Sequence, residues 1–166
     1  MNLLLAAIGA TVIALVEATL APYFKVGDAG PHPVLVGGVI WTIAAGIDRG
    51  IVWAFVGGLV LDSLLGRALG TSAFALLLAV GVAALVATPV PRLRLVLPVI
   101  AVPVISAGYS MLILALETAT QPGLTVADPV RLFLPGAIYD GILGMFIGPL
   151  VVTLHNRRAV TERMDW

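Results

Sequence analysis

The chain consists of long apolar stretches in which no face carries a regular set of polar side chains. The first stretch runs from about Leu3 to Ala21, and others follow at short intervals as far as Leu154. A surface helix of a soluble domain shows a polar stripe, whereas a helix that is apolar all round lies in protein or in lipid. About 20 mostly apolar residues cross a bilayer as a helix. The pattern therefore predicts an integral membrane protein.

Composition agrees with this prediction and excludes several classes of function. Hydrophobic residues make up 60% of the chain and charged residues 11%, against roughly 45–50% and 25% in soluble domains. The formal net charge of +0 gives no general attraction to nucleic acid. The absence of cysteine excludes disulfides and thiolate metal sites. His32 and His155 lie too far apart in the sequence to predict a metal cluster, and we expect no cofactor.

We expect an all-α fold, a compact six-helix transmembrane bundle that forms a single domain over residues 1–154. The predicted spans are about 3–21, 34–47, 51–65, 71–88, 95–116 and 130–154, followed by a short cytoplasmic tail at 155–166. The apolar runs are continuous, whereas the strands of a membrane barrel alternate. We expect the first stretch to be a retained span, because a signal peptide needs a positive start.

The connectors are predicted from charged, glycine and proline residues. Asp48-Arg49-Gly50 predicts a tight polar turn, Pro89–Arg94 a connector and Glu117–Pro129 a polar loop. Cytoplasmic loops carry more Lys and Arg than the loops on the other side. With six spans the side of the termini carries the larger number, which predicts both termini in the cytoplasm. A five-span arrangement, with Val34–Leu65 as one broken or re-entrant unit, is the main alternative.

Four acids lie within or beside the apolar runs: Glu17, Asp62, Glu117 and Asp140. A charge at the bilayer centre costs roughly 2.5–3.5 kcal/mol on insertion scales, so these side chains should face protein or water. We expect Glu117 to be a solvated helix end. Asp62 and Asp140 either cap and pair within the bundle or form a polar site, such as a proton relay or ligand pocket. No second ionisable group lies one turn away in the same span, which favours the structural interpretation.

Glycines mark possible close contacts between helices. Gly46 and Gly50, Gly66 and Gly70, and Gly144 and Gly148 have GxxxG spacing, which permits close backbone approach in lipid. Gly66 and Gly70 flank an arginine and favour a turn. Whether the other faces contact this chain or another protein stays open. The candidate partner-binding or helix-packing residues are Gly57, Gly58, Asp62, Gly66, Gly70, Asp140, Gly144 and Gly148.

The segment 57–73 resembles the signature of the MreD family, which shows the pattern G-x-x-x-D-x-x-x-G-x-x-L-G. Gly58, Asp62, Gly66, Leu69 and Gly70 meet it here. The length, the membrane content and the charged tail also fit. The resemblance implies a non-enzymatic scaffold of the bacterial inner membrane that serves rod shape and peptidoglycan synthesis during elongation. Its implied partners are MreC, through it RodA with its transpeptidase and the MreB filament, and membrane lipid.

Two other classes of function remain. MreD-like proteins are similar in fold to the S components of energy-coupling-factor transporters, so a vitamin-binding S component is the alternative. Trp41 and Trp53 flank the predicted inner turn, and the outer loops are poor in polar groups, which favours the scaffold. A proton-coupled transporter would depend on Asp62 and Asp140 and has less support. No hydrolytic motif is present, so we expect no enzymatic activity.

Overall fold

The structure is a computed structural model that describes residues 3–25, 30–88, 96–120 and 129–164. These residues form six α-helices, and a short 3-10 helix, Ala21–Phe24, continues the first of them. The predicted all-helical fold is confirmed. The helices are α1 Leu3–Leu20, α2 Pro33–Ala45, α3 Ile47–Leu65, α4 Thr71–Ala87, α5 Leu97–Thr120 and α6 Pro129–Met164.

Helix α2 lies at the centre of the bundle and contacts all five other helices. Its residues are apolar on every side, and nine of its 13 are buried. Such a helix gains its stability by being surrounded, because no face prefers water. The positions that stay partly exposed are Pro33, Gly37, Trp41 and Ala45, which are spaced by four and share one face. The other helices therefore cover α2 everywhere except along one stripe.

The five outer helices form a ring around α2 that is open at one point. Helix α1 packs against α3, α3 against α4, α4 against α5, and α5 against α6. Between α6 and α1, by contrast, the described residues make at most a marginal contact. The opening coincides with the uncovered stripe of α2.

Glycines allow the closest approaches inside the bundle. The indole of Trp53 occupies the space that a side chain at Gly37 or Gly38 would need, and its Nε1 donates to the Val34 carbonyl at 2.9 Å. The Trp53 ring also stacks on Trp41, with ring centroids 6.0 Å apart. Small residues thus bring α2 and α3 together around one large aromatic side chain, as expected for helix packing in lipid.

Several predicted boundaries need correction. The prediction of a turn at Asp48–Gly50 is wrong, because α3 begins at Ile47 and includes it. The chain reverses at Gly46 alone, whose φ of 94° is easy for glycine. Asp48 instead lies in the first turn of α3, where the helix dipole favours an acid. Helix α5 continues to Thr120, so Glu117 belongs to a helix.

The remaining boundary predictions are only partly covered by the structure. Helix α6 extends to Met164, so the backbone of most of the predicted tail is helical. The connector 89–94 lies outside the described residues, and so do residues 121–128 of the predicted loop and 165–166 of the tail.

Within the described part of the chain, three helices are long and apolar enough to cross a bilayer: Leu3–Phe24, Leu97–Ala119 and Phe133–Leu154. Two shorter apolar helices, Pro33–Ala45 and Thr71–Ala87, accompany them. At a rise of about 1.5 Å per residue α2 is only about 20 Å long. Helix α2 is therefore shorter than the hydrocarbon core, which is roughly 30 Å thick. That all six helices cross the membrane, with both termini inside, stays a prediction.

Candidate functional site

The fully buried carboxylate of Asp62 joins the end of α3 to the start of α4. Its two oxygens accept hydrogen bonds from the backbone N–H groups of Gly70 and Ser72, each at 2.8 Å. The first N–H groups of a helix have no partner within that helix, and a side-chain oxygen can satisfy them. Asp62 is therefore a cap on α4 that is supplied by the preceding helix.

The glycines around Asp62 shape the same α3–α4 turn. Gly66 and Gly70 have φ angles of 67° and 97°, which side chains other than glycine rarely adopt. At Gly58 an added Cβ would lie 2.3 Å from the Ala73 Cα, so α3 and α4 touch backbone to backbone there. The spacing Gly58, Asp62, Gly66, Gly70 is thus accounted for by one hairpin: a close crossing, a cap and two left-handed turn residues.

Two further acids hold the start of the central helix. Asp140 of α6 accepts the backbone N–H of His32 at 2.7 Å and lies 2.9 Å from its ring Nδ1. It also accepts the hydroxyl of the buried Ser106. Glu17 of α1 accepts the backbone N–H of Val34 at 2.8 Å. Helix α2 therefore begins between one carboxylate from α1 and one from α6.

The need for these acids follows from the position of α2. Its first turn is buried, where water cannot satisfy the free N–H groups. Pro33 at the first helical position removes one donor, and the carboxylates serve those of its two neighbours. The positive end of the helix dipole also favours negative charge at this point. All three buried acids thus hold helix starts, which supports the structural interpretation of Asp62 and Asp140.

An ion pair and a ring contact connect these caps at the same end of the bundle. The guanidinium of Arg67 lies 2.8 Å from a carboxylate oxygen of Glu117 and also donates to the Ser72 hydroxyl. Both partners of the ion pair are 29% exposed, so Glu117 is not the freely solvated helix end that we expected. The rings of His32 and Tyr109 meet edge to face at 5.4 Å. We call this end, where α2 and α4 begin, the polar end.

His32 belongs to the polar end, although the sequence did not predict it there. It lies in the connector before α2, and its side chain is 26% exposed. Burial lowers the pKa of His32, but the hydrogen bond and charge of Asp140 and the charge of Glu17 outweigh that effect and raise the pKa above its ordinary value. The shortness of the second apolar run was the feature of the sequence that could have indicated this cap. A helix too short to span must find hydrogen-bond partners within the protein for the N–H groups of its first turn.

The polar end offers little material for chemistry. Among the described residues no group of three His, Asp or Glu side chains could hold a metal ion. The oxygens of the buried acids accept hydrogen bonds from groups within the bundle. One exception is Oε1 of Glu17, which makes no hydrogen bond within the described part of the chain.

Among the cavities bordered by the described residues, two apolar grooves lie between outer helices. The α1–α6 groove lies at the open point of the ring and comprises adjoining cavities of about 270 and 250 Å³. Both cavities include Pro33 and Leu143, and Glu17 borders the first. The α4–α5 groove is a cavity of about 270 Å³ lined by residues that include Leu78 and Val104. Only the first groove has an acid in its wall.

The remaining glycine candidates lie inside the bundle. An added Cβ at Gly57 would meet a methyl group of Val34 at 2.8 Å. At Gly144 and Gly148 it would come within 3 Å of α5 side chains. These glycines therefore pack this chain's own helices together. That they also bind a partner stays a prediction.

Fold and site together define a multi-pass helical membrane protein whose buried charges hold its own helix ends. The family of rod shape-determining protein MreD matches residues 2–158, nearly the whole chain. The chain therefore belongs to the MreD family, a membrane protein family with a role in rod shape determination. No curated protein and no solved structure matches it, so the likeness to S components stays a prediction.

Proposed function

We propose that this protein is a non-enzymatic scaffold of the bacterial inner membrane that binds MreC and links it to the enzymes of wall elongation. RodA and its transpeptidase are the proposed indirect partners on the wall side, and MreB on the cytoplasmic side. Family membership over residues 2–158 supports the role in rod shape. The proposed partners follow from the same resemblance.

The hydrogen bonds made by the buried acids are the observation that supports a non-enzymatic role. Asp62, Asp140 and one oxygen of Glu17 each accept backbone N–H groups at a helix start. A proton relay needs carboxyl groups that exchange protons with each other or with water, and a carboxylate that holds backbone donors is a poor carrier. A bundle fixed at its helix starts suits a protein that presents a constant surface to other membrane helices.

Co-purification tests the proposal. The full-length protein is expressed with MreC, extracted into nanodiscs and isolated through a tag on one partner. We expect MreC to be retained in stoichiometric amount. In parallel the purified protein alone is tested for binding to a panel of vitamins. A tight vitamin complex without retention of MreC would contradict the scaffold and support an S component.

A further inference from the structure

We propose that the α1–α6 groove is the docking site for one transmembrane helix of a partner, which completes the ring around α2. The inference rests on the proposed function, because it names the surface through which the scaffold would hold a membrane partner. The packing geometry of the helices and the chemistry of the groove wall both support it.

Helix α2 has one neighbour fewer than a fully surrounded helix. Cylinders of equal diameter close-pack with about six around a central one, and helices pack about 8–10 Å apart. Helix α2 has five helical neighbours, α1, α3, α4, α5 and α6. Consecutive contacts run from α1 through α3, α4 and α5 to α6, and among the described residues the contact between α6 and α1 is at most marginal. By this count the ring has one vacant position, between α6 and α1.

The floor and the length of the groove fit the same occupant. Pro33, Gly37 and Trp41 form the stripe of α2 that the ring leaves partly uncovered, and they line the second cavity. The lining residues of α6 run from Tyr139 to Val151. At about 1.5 Å per residue this corresponds to roughly 18 Å, or more than three helical turns. A partner helix could therefore pack against α2 along most of its length.

Glu17 is the one acid in the wall of the α1–α6 groove among the described residues. Its side chain is 7% exposed and borders the groove. One oxygen holds the Val34 N–H, and the other has no hydrogen-bond partner among the described residues. A carboxyl oxygen at membrane depth is stabilised by a hydrogen-bond partner. An acyl chain has none, whereas a helix can place a hydroxyl, amide or amino group there. The partner is thus an apolar spanning helix with one hydrogen-bonding side chain in its third nearest the polar end.

Site-specific photo-cross-linking locates the docking site. A benzophenone amino acid replaces Ile142, which is 50% exposed in the α1–α6 groove, or Leu78, which is 47% exposed in the α4–α5 groove. MreC is co-expressed as the spanning partner. We expect the cross-link to MreC from position 142 and none from position 78. The inference would be overturned if MreC were retained but cross-linked only from position 78, or if position 142 formed adducts only with lipid or a second copy. Either result would leave the proposed scaffold function unaffected. Loss of MreC retention in the unsubstituted protein would overturn both.

Two substitutions test the fit in the same preparation. Ile142→Trp fills the groove, and we expect about tenfold weaker binding of MreC because overpacking a contact costs that order of affinity. Leu78→Trp is the matched control and should bind normally. Glu17→Gln keeps an acceptor for Val34 and should weaken binding about threefold, as expected for one interhelical hydrogen bond. Normal binding by Ile142→Trp, with reduced binding by Leu78→Trp, would refute the assignment.

Discussion

Replacement of Asp62 tests how the α3–α4 hairpin is held. In Asp62→Ala the N–H groups of Gly70 and Ser72 both lose their partner. A hydrogen bond to a charged group contributes about 1.5–3 kcal/mol. We take the lower value for each bond, because the Gly70 N–H lies in a partly exposed turn and can reach water once the carboxylate is removed. The expected loss in the free energy of unfolding is therefore about 3 kcal/mol.

The amide variant refines the same prediction. Asn at position 62 keeps one acceptor oxygen but turns an NH₂ group toward the second backbone N–H. Asp62→Asn should therefore lose at least half of the effect of the alanine variant, about 1.5 kcal/mol or more. Asp48→Asn is the control, since Asp48 is an exposed acid in the first turn of α3 and should contribute less than about 1 kcal/mol.

The assay is reversible unfolding of the purified protein in mixed micelles, with helicity followed as the denaturing detergent is increased. The predicted order of stability is the unsubstituted protein, then Asp48→Asn, Asp62→Asn and Asp62→Ala. If Asp62→Ala were no less stable than the Asp48 control, the carboxylate would not be what holds α3 to α4, and the argument from its two hydrogen bonds would be refuted.

Three further outcomes are expected from the same unfolding assay. Gly58→Val should prevent correct packing of the α3–α4 hairpin, because the first carbon of its side chain would overlap the backbone of α4. Gly81→Ala, whose new methyl group meets open space, should be neutral or slightly stabilising. Equal effects of the two substitutions would contradict the packing. Trp53→Phe should cost about 1 kcal/mol through the lost indole hydrogen bond, and no loss would show that the bond is unimportant. The pKa of His32 is raised by Asp140, so His32 contributes stability that is fully present below its unfolded pKa and is lost as pH rises through the folded pKa. The melting temperature should therefore fall over this pH range, and it should fall much less in His32→Gln.

The helical fold could be read from the sequence because lipid leaves the backbone few alternatives. Apolar runs predicted all six helices, and most boundaries agree within a few residues. The error at Asp48–Gly50 arose because charged residues and glycine suggest a loop, whereas the first turn of a helix favours an acid. The central position of α2 was not predictable from its own composition, since an apolar helix looks the same whether lipid or protein surrounds it.

The polar end was predictable only in part. Capping or pairing by Asp62 and Asp140 could be proposed because a buried acid needs a donor. The partners could not, since His32 and Asp140 are separated by 108 positions and only the tertiary fold brings them together. Asp62 was the easier case, because Gly70 follows it by eight residues across one turn. Local geometry is encoded locally, whereas contacts across the bundle depend on which helices become neighbours.

We propose that this protein holds one partner helix against an incomplete ring of its own helices. Native mass spectrometry of the complex released from nanodiscs tests it most directly. The predicted result is a complex of this chain with MreC at one to one, since the ring around α2 has one vacant position. A chain that leaves the nanodisc without MreC, or that carries a small-molecule ligand in its place, would contradict the claim.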